Sequence, residues 1–478
     1  MTNNKNIIVL GGGTAGWMSA NLLHLKLAPL GYQVRVIESE DIGIIGVGEG
    51  STPQLKVFFD LLGIQEHEWM PLCDATYKYG IQFRQWCQYD PKRPFLDDYF
   101  HPFPASTDAL TAVDFMQACH RMMQGYPASV KPDPYFLTAY LSAQDIIPTR
   151  INTADTQCNY GYHFDSYKLG AFLSEFGQQQ GIIRNVDTIT KVDSNEQGIN
   201  MLYGKNHAQY SAELFFDCSG FESVLLQKTL KVPFESFSNH LLNDAAIAIP
   251  TPRAEKELMQ TQATALSTGW AWRIPLTSRV GNGYVYSSQY VDKEAAEMEL
   301  RSHLGIAETI PARHLTMKVG QVSKHWYKNC IGVGLAQGFI EPLEATALHL
   351  VQETVVQFIG AFLAGKETTH FQNAFNDNIR NRFNGIKDYI TAHYCACNRN
   401  DTEYWQAASQ PRKQTKHLKE ILLLWRNGKD INAYITEHKL HQYYPTISWY
   451  CLLAGYQQFS HRQFEPTAQW HPHFAQYG

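Results

Sequence analysis

The chain has no Cys-x-x-Cys pair, no long uninterrupted apolar run and no excess of positive charge. Its nine cysteines are scattered, and Cys395 and Cys397 are merely neighbours in sequence, which excludes a zinc ribbon or a disulfide framework. The 19 histidines are equally unhelpful to a metal: His24, His67, His314, His370 and His473 have no partners at ligand spacing. His349 and His393 read as packing or pocket polar groups, and no metal is expected. Lys plus Arg number 40 against 45 Asp plus Glu, a net charge of −5, so nothing draws the chain to nucleic acid or anionic lipid. The longest apolar region, Leu348 to Gly365, is broken by Gln352, Glu353, Thr354 and Gln357, and no membrane span is expected. Met1 to Asn6 is polar and does not read as a signal peptide. The expectation is a cytoplasmic protein with free thiols.

Charge is scarce at 18%, whereas aromatics reach 13% with 26 Tyr and 10 Trp, a balance that suits an enzyme with large buried pockets. The 44% hydrophobic content excludes global disorder. At roughly 150 residues per domain the length allows about three domains, or two large ones sharing a core.

Asn6 to Leu10 is a short β-branched apolar run that reads as a buried parallel strand. Gly11-x-Gly13-x-x-Gly16 follows, then a helix-compatible stretch from Trp17 to Leu27 and a second strand, Gln33 to Ile37, ending at Glu38. Placed between strand and helix, with an acid closing the next strand, the glycines form a dinucleotide fingerprint. The first permits the tight turn, the second admits a pyrophosphate, and the third lets the helix pack on the strand. The helix N-terminus favours the negative charge. Glu38 is placed to accept from the adenosine ribose hydroxyls, with Ser39 beside it.

Further strands are expected at Gly181 to Val192, which includes Val186, and at Ala212 to Phe216, the latter running into Asp217-Cys218-Ser219-Gly220. Asp217 and Gly220 there return the chain to the dinucleotide. A β-rich middle spans about Val232 to Ser323, Ile331 to Gly334 reads as a strand, and Glu344 to Leu363 as a helix. Pro91 to Pro134 has little periodicity and reads as an insertion that shapes a pocket. No second glycine fingerprint follows a strand, so one dinucleotide is bound and no separate NAD(P)H domain is visible.

Several motifs in order then carry a resemblance over nearly the whole chain. They are Gly11-Gly12-Gly13-Thr14-Ala15-Gly16-Trp17, Gly46-Val47-Gly48-Glu49 with Ser51-Thr52-Pro53, Tyr77-Lys78, His101-Pro102-Phe103 and Tyr162-His163-Phe164-Asp165. Trp270-Ala271-Trp272-Arg273-Ile274-Pro275 matches a W-x-W-x-I-P signature, followed by Gly334-Leu335-Ala336 and Glu341-Pro342-Leu343-Glu344-Ala345-Thr346. The sequence resembles the flavin-dependent halogenases, in particular the tryptophan-halogenase-like family.

The resemblance implies an α/β fold: a Rossmann-like FAD-binding core similar to single-component monooxygenases, a β-rich second layer and a helical C-terminal cap. The expected division is residues 1–370 for the core, with the substrate-side layer interleaved at about 80–130 and 232–323, and 371–478 for the cap. It implies a two-component enzyme in which a separate flavin reductase supplies reduced FAD. Oxygen then gives a flavin hydroperoxide, chloride or bromide yields hypohalous acid, and the acid travels through a tunnel to an electron-rich aromatic small molecule such as an indole. By motif, Lys78 presents the electrophile and Glu344 is its paired carboxylate. Gly11, Gly13, Thr14, Ala15, Gly16, Glu38, Ser39, Val47, Gly48, Glu49, Val186, Asp217, Gly220 and Leu335 are the residues expected to hold FAD. Backbone N–H groups of Thr346 and Ala347 correspond to the halide site, His101, Phe103 and Trp449 to aromatic walls, and Trp270, Trp272, Ile274 and Pro275 to the barrier between flavin and tunnel.

Residue chemistry agrees with these assignments. A lysine hydrogen-bonds hypohalous acid as an ammonium or forms a haloamine as an amine, and burial tunes which form is present. A carboxylate takes the proton lost when a ring rearomatises. Consecutive backbone donors make an anion site. The family commonly has glycine where this chain has Ala347, and a Cβ there predicts a shift from chloride toward bromide. His163 reads as a determinant of the fold. An aromatic sandwich accepts any flat electron-rich ring, and from His441 to Gln458 there is no acid to clamp an ammonium group. An indole or phenol therefore stands beside free tryptophan as substrate, and a homodimer is left open. The alternative is a flavin-dependent aromatic hydroxylase, although Val333 to Glu344 lacks that class's G-D-A-A-H-like segment. A flavin-binding sensor without turnover is the rival from another class.

Overall fold

The computed structural model describes residues 5–40, 48–88, 98–151, 158–410, 413–460 and 469–477. A six-stranded sheet begins at the N-terminus, in the order Trp326–Tyr327, Cys330–Gly332, Leu214–Asp217, Asn6–Leu10, Gln33–Glu38, Ile183–Val186. The last five are parallel, with Ile7 facing Val34 on one side and Leu214 on the other. Parallel strands need crossovers, and helices supply them, so the central strands are covered on both faces. Ile7, Ile8 and Val9 are buried accordingly.

The helix Thr14–Leu27 is buried almost all round rather than along one stripe. It touches Gln33–Glu38 below and the helices Ser166–Gln179 and Ala347–Ala364 beside it, so its outward face is also core. Asn21 is tolerated there because its Nδ2 donates to the carbonyls of Trp17 at 2.8 Å and Leu173 at 3.0 Å. Ala347–Ala364 has the length and hydropathy to cross a membrane, but half of it is buried, including Leu348, Val351, Val355, Phe358 and Phe362. It is a core helix of this unit.

These elements belong to the first of two compact units, built from Met1–Ala75, Phe164–Phe237 and Lys318–Phe383. The second is built from Thr76–His163, Ser238–Met317 and Asn384–Gly478. Its frame is a seven-stranded sheet in the order Arg313–Thr316, Ala245–Thr251, Val280–Tyr286, Gly269–Pro275, Thr261–Leu266, Gly80–Arg84, Asp98–Pro102. All pairs are antiparallel except Thr261–Leu266 with Gly80–Arg84. Every residue of Val280–Tyr286 is buried, so both faces of the sheet centre are covered. Ala296 and Leu300 of the helix Lys293–Leu304 pack with Ile247, Ala271 and Tyr284 on one of them.

The expected β-rich middle thus contains a helix that strand alternation does not reveal. Its signals are local: Asp292 accepts from Ala295 N at 2.8 Å as N-cap, and Gly305 ends it in the left-handed region. Other boundaries shift as well. The stretch Gly181 to Val192 divides into Ile183–Val186 and Ile189–Asn195, which lie in different sheets. The helix expected from Glu344 starts at Ala347, after a tight turn at Pro342–Glu344 and a left-handed Ala345 at φ 55°. Within the expected insertion the described part holds a sheet strand, Asp98–Pro102, and a helix, Ala109–Met123.

Trp272 faces Gly283 on one neighbouring strand and Ala263 on the other. A Cβ on Gly283 would lie 2.1 Å from the Trp272 ring and 2.4 Å from the Ile247 carbonyl, so the indole occupies the space a side chain would need. Gly283→Ala is therefore expected to lower stability by about 1–3 kcal/mol through overpacking. Gly360→Ala, in the helix Ala347–Ala364 with nothing within 4 Å of the added carbon, is expected to raise it by about 0.4–1 kcal/mol. Urea unfolding of both variants checks the pair, and equal midpoints would contradict it.

Candidate active site

The first unit assembles the dinucleotide fingerprint. Gly11, at φ 117°, donates its N–H to the Ile37 carbonyl at 2.8 Å, and a Cβ there would lie 2.2 Å from the Cys218 carbonyl oxygen. On Gly16 the added carbon would lie 1.9 Å from the Gly11 oxygen. Both contacts are possible only without a side chain, and they draw the ends of three parallel strands onto one helix N-terminus. Gly13 is the N-cap of that helix and has no side-chain cap. A Cβ on Gly13 or Gly220 would meet nothing within 4 Å. An uncapped N-terminus beside open space fits a pyrophosphate, because its first N–H groups lack helical partners.

The side chains around this cradle are more committed than their sequence positions suggest. Glu38 lies against Gly12, accepts from Trp17 Nε1 at 3.2 Å and pairs with Arg184. Ser39 Oγ and Thr188 Oγ1 are 2.6 Å apart. Thr14 turns its hydroxyl to the Ser166 carbonyl at 3.0 Å, so its backbone is what faces the cradle. Asp217, fully buried, accepts from Leu225 N and Leu226 N at 2.8 Å each and from Ser219 N at 3.1 Å and Ser219 Oγ at 2.5 Å. Its carboxylate shapes the loop around Gly220. Burial raises its pKa, against the lowering effect of these bonds.

Gly334 and Leu335 sit in a tight turn whose Gly334 lies against Ala15, the added Cβ meeting the alanine methyl at 2.9 Å. Val186 is exposed at its strand end. Gly48 is buried and Glu49 partly so, but the glutamate is crowded enough that its carboxyl is pushed up to about 7, mainly by burial, with a Ser166 hydrogen bond opposing and the Asp165 charge adding. Val47 lies outside the described residues. Glu344 is 4% exposed in its turn, two residues before Thr346, which is the N-cap of the helix Ala347–Ala364 and makes no side-chain capping bond. The N–H groups of Thr346 and Ala347 are thus at an uncapped helix start, as an anion requires.

In the second unit, Lys78 is fully buried at the end of the strand Thr76–Lys78, which pairs with Gly161–Phe164 so that Lys78 faces Gly161. Glycine opposite leaves room for the long side chain, whose Nζ lies 5.3 Å from the centre of the Phe103 ring. A desolvated ammonium over an aromatic face gains about 2 kcal/mol. His101, 3% exposed, contacts Tyr389 Oη through Nε2 at 3.3 Å. The same hydroxyl donates to the Ser448 carbonyl at 3.0 Å, and the Tyr389 ring stands edge-on to Trp449 at 4.8 Å. One tyrosine therefore joins two of the expected aromatic walls. Trp270, Trp272 and Ile274 share one face of their strand, with the two indoles 6.4 Å apart.

Tyr389 was not among the residues read from sequence. It continues the Phe375, Ile379, Phe383, Ile386 spacing of the helix Gln372–Ala396 and so reads as core. Asp388, on the same helix, accepts from Thr415 Oγ1 at 2.7 Å and lines a small cavity with Gly385, His417, Tyr443, Tyr444 and Trp449. Only the fold brings that carboxylate beside Trp449.

Residues 6–472 match the family model described as tryptophan halogenase. A tryptophan 6-halogenase, SttH of Streptomyces toxytricini, is 34% identical over 430 residues, covering 84% of this chain and 80% of that protein. The solved tryptophan halogenase from Shewanella frigidimarina aligns with a TM-score of 0.85 at 30% identity, covering 97% of this chain and 90% of that one. A flavin-dependent halogenase from Xanthomonas campestris aligns with a TM-score of 0.84 at 30% identity, over 97% and 90% of the two chains. Membership carries a requirement for FAD and a halide ion and decides against the aromatic hydroxylase. The chain belongs to the tryptophan halogenase family and is a flavin-dependent halogenase.

Proposed function

We propose that this halogenase acts on an electron-rich aromatic small molecule such as an indole, with Lys78 presenting the halogen and Glu344 taking the ring proton. The observation that carries the reading is the fully buried Lys78 with its Nζ over the Phe103 ring. A long basic side chain is kept out of water only where the fold holds it against compensating groups, and an aromatic wall is one of them here. The relatives named as tryptophan 6- and 7-halogenases support an indole ring.

FAD, when bound and reduced, supplies with oxygen the two-electron oxidation of halide to hypohalous acid. A separate flavin reductase is the proposed source of the reduced cofactor. Gly11, Gly13, Ala15, Gly16 and Gly220 hold it by backbone, Thr14 through its N–H, and Leu335 beside them. Glu38 and Ser39 would take the ribose hydroxyls, with Val47, Gly48, Glu49 and Val186 as the remaining proposed contacts. Asp217 shapes the loop that carries Gly220.

Lys78 donates from Nζ to the oxygen of hypohalous acid and polarises the oxygen–halogen bond. An electron pair of the ring forms the new carbon–halogen bond as that bond breaks, and the oxygen leaves as water with a proton from Lys78 Nζ, which the proton later taken by Glu344 replaces. The ring then loses its proton to the Glu344 carboxylate and regains aromaticity. Backbone N–H groups of Thr346 and Ala347 hold the halide. His101, Phe103 and Trp449 wall the aromatic substrate, and Trp270, Trp272, Ile274 and Pro275 keep it from the cofactor.

Indole and tryptophan, incubated separately with the protein, FAD, a flavin reductase, NADH, air, bromide and catalase, are expected to give a bromine isotope doublet by mass spectrometry with at least one of them. Lys78→Ala is expected to lose product by about 100-fold or more, and Glu344→Gln by about 10–100-fold. Equal bromination by wild type and Lys78→Ala would mark leaked hypobromite and overturn the lysine's role. With chloride and bromide in competition, Ala347→Gly is expected to raise the chloride-to-bromide product ratio. A wild type that already prefers chloride would sink the halide reading.

A further inference from the structure

His163 is buried completely, on the strand paired with that of Lys78, and the register sets it opposite Thr76 while Lys78 faces Gly161. Thr76 and Lys78 are two residues apart on one strand, so Thr76, Lys78 and His163 share a face of the pair. Both imidazole nitrogens are engaged: Nδ1 with Thr76 Oγ1 at 3.2 Å and Nε2 with Thr261 Oγ1 at 2.9 Å. Thr76 Oγ1 also donates to the Pro275 carbonyl at 2.7 Å.

These bonds settle the protons. A threonine hydroxyl has one hydrogen, and that of Thr76 goes to Pro275, so Thr76 can only accept from the imidazole. Nδ1 therefore carries a hydrogen. Burial keeps the ring neutral, and in the neutral ring Nε2 accepts from the Thr261 hydroxyl. Burial, reinforced by the nearby Lys78 charge, holds the imidazole pKa well below its ordinary value.

The chain Thr261–His163–Thr76–Pro275 ties the lysine strand to two strands of the large sheet, one of them carrying Trp270, Trp272 and Ile274. We propose that His163 is a positioning residue for Lys78: clamped between two threonine hydroxyls, it fixes the lysine strand against the tryptophan strand without adding a charge beside Lys78. This rests on the role proposed for Lys78. A histidine placed only to fill space would not need both ring nitrogens bonded to hydroxyls, one of which is itself anchored to a neighbouring backbone. A loosened lysine strand still allows hypohalous acid to form, but the acid escapes before it meets the ring.

The test compares two quantities in one reaction with FAD, a flavin reductase, NADH, air, bromide and indole: bromoindole formed, and hypobromous acid caught by a soluble β-diketone trap. His163→Leu is expected to lower the ratio of bromoindole to trapped oxidant at least ten-fold. In His163→Gln the amide donates to Thr76 and accepts from Thr261, and the ratio is expected to return to within three-fold of wild type. Should His163→Leu fail to fold, Thr261→Val removes one hydroxyl and is expected to lower the ratio in the same direction. A wild-type ratio in His163→Leu, or in Thr261→Val where the first does not fold, overturns the proposal. So does failure of His163→Gln to restore the ratio. Lys78→Ala separates the two readings: if it keeps the wild-type ratio the lysine's role falls, and if it alone lowers the ratio only the role of His163 falls.

Discussion

The placement of functional groups in both units depends on one steric constraint, contact with backbone at distances that exclude a Cβ. In the first unit Gly11 lies against the Cys218 carbonyl and Gly16 against Gly11, which brings strand ends and a helix N-terminus together. In the second, Gly283 yields to the Trp272 ring, Gly80 to the His101 carbonyl and Gly455 to the Tyr99 ring. A methyl group at any of these positions would have to displace backbone or a packed aromatic, and close-packed interiors resist that. The cradle and the aromatic walls are consequently set by shape before any polar contact is considered.

Polar groups then act mainly on the chain itself. Asp217 ties down the loop after its strand, Asn376 receives His325 N and Trp326 N at 2.8 Å each, and the His163 chain links four strands of the second unit. Such fully bonded buried groups define one geometry, because any alternative leaves a donor or acceptor dry and unmatched. This division of labour leaves two helix starts, at Gly13 and Thr346, without a side-chain cap.

The exception is Lys78. It is fully buried, and its Nζ lies 5.3 Å from the centre of the Phe103 ring. A lysine in that position would be a liability in a protein that only had to fold. The role proposed for Lys78 accounts for its presence there.

Much of this was legible in the residues. The glycine spacing, the β-branched runs and the acid at Glu38 determine the parallel sheet and its helix, since periodicity and backbone permissiveness are local properties. The motif at Trp270 to Pro275 placed two indoles on one strand face for the same reason. Other features were decided only by tertiary structure. Lys78 could have been a surface residue until strand pairing set it opposite Gly161 and buried it. Asp388 reached the Trp449 cavity from a helix distant in sequence, and Tyr389 became a link between His101 and Trp449 although its spacing is that of a core residue. His163 acquired its hydrogen-bond chain from Thr76, Thr261 and Pro275, residues as far as 112 positions away along the chain. Local pattern determines which element a residue joins; which distant groups surround it, and hence its charge and reach, is determined only when the strands pair.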